Sequence, residues 1–181
     1  MIRTLLWFIG GALLGGIIHI IVILTLPLLA EETTWTRISA YEAANRMLIL
    51  EPVTPGIPNP LHLDPELSYG LCQVDLSEGP AYLNGVLPDA FWSVAVYDRN
   101  GIVIYSTTNR DGIGQTVDIG IFNPAQTRLL AQQQIDIAEG LLIVESGTND
   151  LFVLVRLSPP HEAMRARFEA ELAEVTCGPR T

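Results

Sequence analysis

The sequence predicts a mainly β protein: an antiparallel β-sandwich with a C-terminal docking helix, preceded by a single transmembrane helix. Three observations carry that reading. Thr4 to Ala30 holds no charged side chain, seven short runs after Pro65 alternate with period two, and one apolar stripe at helical spacing lies near the C-terminus. They divide the chain into a membrane anchor at 1–30, a juxtamembrane helix with a proline-rich connection at 31–65, and a β domain with its terminal helix at 66–181. With 181 residues in all, about 150 remain outside the anchor, the size of one domain with one core.

About 20 apolar residues suffice to cross the hydrocarbon core as a helix, and the uncharged stretch is longer than that. A cleaved signal peptide has a shorter apolar region and small residues at both cleavage positions, whereas Leu28 with Ala30 makes a poor site. The expectation is an uncleaved anchor. Arg3 and the amino terminus precede it and Glu31 and Glu32 follow, so the positive-inside rule leaves the N-terminus in the cytoplasm of a bacterial inner membrane and the bulk of the chain in the periplasm.

Within the anchor, Gly11 and Gly15 form a GxxxG, and Trp7 and His19 continue the same stripe at intervals of four. Missing side chains let a second backbone approach closely, which is how such spacings serve helix contacts in lipid. Gly11, Gly15 and His19 are therefore the expected helix interface. An ionisable group near mid-bilayer is expensive without a partner, and three readings of His19 stand open. It bonds a polar group on another helix, it is a neutral histidine bonded to its own backbone or a local water, or it ligates the metal of a tetrapyrrole.

Residues 31–50 carry Trp35, Ile38, Tyr41, Ala44 and Leu48 at helical spacing, with Ser39 and Glu42 in a capping-box pattern, which predicts a short amphipathic helix just outside the membrane. Trp35 and Tyr41 then sit either at the lipid headgroups or against the β domain. Pro52, Pro55, Pro58, Pro60 and Pro65 prevent any regular element in the connection that follows.

The period-two runs are 67–76, 81–87, 91–97, 102–107, 115–122, 141–145 and 151–157, each bounded by Gly, Pro, Asn or Asp. Asn100-Gly101 predicts a hairpin turn with positive φ at both central residues, and residues 146–150 predict a second hairpin. Between them, 124–134 reads as a helix with Pro124 in its first turn and Asn123 as cap. The terminal helix follows Pro159 and Pro160, with Met164, Phe168, Leu172 and Val175 on one face. Arg165 with Glu169 and Arg167 with Glu171 are expected to pair on its outer face. Cys72 and Cys177 are the only cysteines, and in an oxidising compartment they are expected to form a disulfide.

The run from Asp75 to Gly112 resembles an uncharacterised bacterial family, domain of unknown function twelve-fifty-four. Asp75, Leu76, Gly79, Pro80, Trp92, Ser93, Val94, Tyr97, Asp98, Tyr105, Asn109 and Arg110 carry the likeness. It covers roughly residues 60–157, matches the short form with one N-terminal membrane helix, and implies a jelly-roll-like sandwich without supplying a reaction.

The formal charge is −10, and residues 31–181 hold all 20 acidic residues and nine of the ten arginines, a net −11. Such a surface repels phosphate and argues against nucleic acid. His62 and His161 belong to no ligand cluster of metal-binding type, and no phosphate loop, GxSxG elbow or recognisable triad is present. No catalytic residue, metal site or cofactor is assigned. The candidate pocket residues are Tyr97, Asp98, Tyr105, Asn109 and Arg110, at and near strand ends where binding groups collect, with Arg110 alternatively pairing to Asp98 or Asp111. The leading expectation is a non-catalytic accessory or scaffolding subunit that meets other membrane protein subunits. Small-ligand binding or sugar processing in the periplasm is the second reading, and tetrapyrrole binding through His19 the third.

Overall fold

The computed structural model describes residues 2–29, 33–111, 114–132 and 140–180. Its first element, α1 (Ile2–Leu29), is one helix, and the stretch Ile2–Leu26 is long and apolar enough to cross a membrane with none of it buried against the rest of the chain. In lipid a helix satisfies its own backbone donors and acceptors, which favours this form for an uncharged run.

The juxtamembrane helix α2 (Thr34–Ser39) is shorter than expected and is capped by other residues. The Thr33 hydroxyl accepts from the Thr36 amide and the Thr36 hydroxyl accepts from the Thr33 amide, closing a capping box. The Ser39 hydroxyl instead donates to the Trp35 carbonyl at 2.8 Å. The helix stops because the chain turns at Glu42 and Asn45, with φ of 50° and 52°, and Ala43 and Asn45 pair with the backbone of Gln73. A two-residue strand, β1 (Leu48–Ile49), follows. Of the two environments expected for Trp35 and Tyr41, they occupy the protein side, packed with Ile38, Ala43 and Leu50.

All seven predicted strands form: β2 (Ser68–Asp75), β3 (Ala81–Val86), β4 (Phe91–Asp98), β5 (Val103–Thr108), β6 (Thr116–Phe122), β7 (Leu142–Glu145) and β8 (Asp150–Ser158). A further strand, β9 (Thr176–Gly178), was not expected. One sheet has the order β1-β2-β8-β4-β5 and the other β7-β6-β3-β9. Val74, Val94, Val96, Val153 and Val155 from the first face Leu83, Val117, Ile119 and Ile121 from the second in one buried cluster. The alternation in each strand, apolar inward and mixed outward, is what places these residues there. Two facing, mostly antiparallel sheets are thus present. The parallel pair β6–β7 stands outside a jelly-roll plan; it is bridged by α3 (Pro124–Gln132), whose first turn is capped by Asn123 Oδ1.

That pairing corrects the second expected hairpin. β7 lies in one sheet and β8 in the other, so residues 146–150 form a corner between sheets, held by the buried Ser146 hydroxyl bonding both amide and carbonyl of Thr148. The first hairpin exists with a different turn. Gly101 alone has positive φ, at 81°, and its amide donates to the Asp98 carbonyl, so Asn100 keeps negative φ and the loop is a type I turn followed by a glycine bulge.

The terminal helix is a short 3₁₀ turn (Glu162–Met164) running into α4 (Arg165–Ala173), and Phe168, Leu172 and Val175 plug the core between the sheets. Arg167 pairs with Glu171 at 2.8 Å as expected. Arg165 does not sit on the outer face. It is buried, donating to the carbonyls of Pro65 and Leu67 and to Glu162, while Glu169 accepts from Ser68. Cys72 and Cys177 form the disulfide, with Cα atoms 6.4 Å apart.

Candidate functional site

The structure does not bring the five candidate pocket residues to one place. Asp98 spends its carboxylate on its own turn, accepting from the amides of Asn100 and Ile102 at 2.9 and 2.8 Å. Tyr105 packs against the core between the sheets, whereas Tyr97 stacks on Phe152 on the opposite face, with centroids 4.8 Å apart. Asn109 and Arg110 follow the far end of β5, so roughly 20 Å of strand separates them from Asp98. Asn109 Nδ2 donates to the Ala90 carbonyl, and its Oδ1 is buried without a hydrogen bond, as is Trp92 Nε1. Arg110 is exposed and ion-pairs with neither Asp98 nor Asp111; Asp111 accepts from the Thr108 hydroxyl instead.

What the fold assembles lies on the outer face of the first sheet. Tyr69 and Leu71 of β2, Phe152 and Leu154 of β8 and Tyr97 of β4 project there and are covered by residues 35–67. The Tyr97 hydroxyl accepts from Arg156 at 2.6 Å, closing one side. The cover is held by polar contacts. Asn59 bonds both amide and carbonyl of Leu63, the Tyr69 hydroxyl accepts from the Asp64 amide, and Arg37 donates to the Pro60 carbonyl. Two cavities remain under and beside this strap. One of about 500 Å³ is lined by Tyr41, Leu48, Leu50, Val53, Ile57 and Pro60 among others. The second, about 250 Å³, lies between Thr34, Ile38, Gly101 and Phe152, and both are bounded by Leu61 and Leu63. The first falls in the size range of small-molecule sites, roughly 300–1,000 Å³.

Sequence reasoning missed this face, although one signal was available. The β8 run Leu151-Phe152-Val153-Leu154-Val155 is apolar at every position, the mark of a strand covered on both sides.

No family model matches the chain, and no curated protein matches it. Solved structures resemble it, the following two among them. The VPA0106 protein of Vibrio parahaemolyticus aligns with a TM-score of 0.53 at 8% identity, over 64% of this chain and 28% of that one. An uncharacterised protein of Burkholderia cenocepacia aligns with a TM-score of 0.47 at 12% identity, over 68% and 34%. This chain therefore spans about a third of the length of the proteins it resembles. The first likeness supports the β fold and carries nothing about activity.

Chemically, the outer-face cavities are apolar with a thin polar rim of Glu51, Thr54 and Asn59, or of Thr34 and Asn100. That lining suits hydrocarbon. Among the described residues no group of three His, Cys or carboxylate side chains is placed to hold a metal ion. In α1 the expected stripe is bare. A Cβ added at Gly11 or Gly15 would meet nothing within 4 Å, and His19 is exposed on the same helix.

Proposed function

We propose that the chain is a periplasmic protein anchored in a bacterial inner membrane by α1, serving as a non-catalytic accessory or scaffolding subunit of a membrane protein complex. The observation that carries this reading is the bare Gly11, Gly15 and His19 stripe, to which no other element among the described residues is packed. A glycine-lined face in lipid gains by close backbone contact with another helix, and a histidine there gains by a polar partner. Arg3 before the helix and Glu31 and Glu32 after it support the orientation, and the Cys72–Cys177 disulfide suits an oxidising compartment. The resemblance to domain of unknown function twelve-fifty-four and to its jelly-roll-like sandwich belongs to the same proposal. Purification of the full chain in mild detergent tests it. Membrane partners should co-purify and be lost with Gly15→Leu; a chain that runs as a bare monomer from its native membrane overturns the reading.

A small-ligand site is the second reading, and the cavity of about 500 Å³ favours it. The space between the sheets is less suited to sugar, being filled with apolar side chains and the disulfide.

A further inference from the structure

The smaller outer-face cavity, which Thr34 lines, lies close to the end of the anchor. Thr34 opens α2 five residues after Leu29 closes α1, so the covalent chain holds it within about 18 Å of the helix end. The tip of the β4–β5 hairpin meets the same spot: a Cβ on Gly101 would lie 3.6 Å from Thr34 Oγ1. Beside Gly101 the hairpin exposes Ile102 and Val103, at 64% and 50%, and at the other end of the strap Ile57 is 64% exposed on the wall of the larger cavity. Ile57 on the cavity wall, and Ile102 and Val103 next to the cavity-lining Gly101, form exposed apolar surface of the kind found at interaction sites.

We propose that these two cavities, which share Leu61 and Leu63 and reach from Thr34 and Gly101 to Ile57, together form a groove that binds one acyl chain of a lipid of the membrane that α1 spans. This rests on the anchored reading, which brings hydrocarbon to the groove by tether length alone. The chemistry matches the occupant: the walls are Leu, Val, Ile, Pro, Tyr and Phe, and each methylene moved out of water into such a lining is favourable. The exposed Ile102 and Val103 settle into the interface beside the anchor and align the groove with the lipid tails. With a net −11 outside the anchor, the domain favours zwitterionic over anionic headgroups.

The test reconstitutes the full chain into phosphatidylcholine vesicles containing a small fraction of phosphatidylcholine with a photoreactive diazirine at one acyl-chain end, followed by irradiation and peptide mapping. The expected result is labelling both in α1 and within residues 48–63, with the second signal falling about tenfold in Ile57→Asp while the first is unchanged. Ile57 is exposed, so the variant keeps the fold, and an unchanged urea midpoint reports that it does. Labelling confined to α1 overturns the acyl site and leaves the anchor standing. Labelling of 48–63 that ignores Ile57→Asp shows surface contact only and equally overturns the site. No labelling of α1 overturns the anchored reading, and the acyl site with it.

Discussion

Cys72 of β2 is bonded to Cys177 of β9, so the disulfide joins the two sheets across 105 residues of sequence. Closing so long a loop restricts the unfolded chain by at most about 4–5 kcal/mol in the entropic account. The bond also fixes β9, a three-residue strand that among the described residues pairs only with β3. Cys72→Ala with Cys177→Ala should lower unfolding free energy by roughly 2–5 kcal/mol, read as a shift in the urea midpoint of the full chain in detergent. Reduction of the unmutated chain should shift it similarly. Equal midpoints with and without the bond would remove it from any structural role.

Arg165 is the polar keystone of the terminal helix. Its guanidinium reaches the Pro65 carbonyl at 2.8 Å, the Leu67 carbonyl at 3.1 Å and the Ser68 hydroxyl at 3.3 Å. Arg165→Ala takes the donor from the part-buried hydrogen bonds to the Pro65 and Leu67 carbonyls and from the buried Ser68 hydroxyl, and should cost about 1–3 kcal/mol. Glu162, whose side chain is 80% exposed, should cost under about 1 kcal/mol when replaced by Ala, because exposed partners contribute little. Denaturation of the two variants side by side decides this, and equal losses would place the contribution in the Arg165–Glu162 pair.

Gly85 and Gly79 separate crowding from backbone freedom. A Cβ at Gly85 would lie 2.9 Å from Val175 Cγ2 and 3.1 Å from Val175 Cα, whereas one at Gly79 meets nothing within 4 Å. Gly85→Ala should therefore destabilise by about 1–3 kcal/mol through overpacking, and Gly79→Ala should be near neutral. A Gly85→Ala protein as stable as its parent would mean that the segment after α4 yields easily.

The strands were legible because alternation and Gly, Pro, Asn and Asp punctuation are local, as in Trp92, Val94 and Val96 before Asn100-Gly101. Ser146 misled because neighbours in sequence usually pair in space, and nothing local tells a sheet corner from a hairpin. Arg165 misled for the same reason. Its spacing to Glu169 is that of a surface pair, but the acceptors that claim it lie about 100 residues earlier. The candidate pocket failed where facing mattered: Tyr105 pairs with the inward-facing Val96 in the β4–β5 hairpin, so strand alternation sets Tyr97, the next residue, on the opposite face.

Asp75 carries a pH signature. The Ser77 amide donates to its Oδ1 at 2.8 Å, and with the Ser77 hydroxyl this holds its carboxyl below the ordinary 3.8. A lowered folded value means that the carboxylate stabilises the fold above about pH 4 and that this contribution disappears as pH falls through the lowered value. Asp75→Asn keeps an acceptor without the titration, so the stability difference between parent and variant should shrink from about pH 6 to about pH 3. A difference constant across that range would show that the turn does not sense the charge.

The α1 stripe distinguishes bulk from polarity. If Gly11, Gly15 and His19 form a helix contact, Gly15→Leu inserts a side chain where backbones meet and should abolish assembly. His19→Leu removes only one polar contact, about 0.6–2 kcal/mol in a membrane, so assembly should weaken and persist. Co-purification yields of the two variants, compared at equal expression, measure the difference. A tetrapyrrole on His19 predicts another pattern: His19→Leu removes the axial bond, so a visible absorbance band of the purified complex should vanish while the partners remain. A colourless complex excludes that ligand. Should neither substitution change assembly, colour or abundance, the stripe is an ordinary anchor face, and the functional contacts lie in the β domain and its apolar strap.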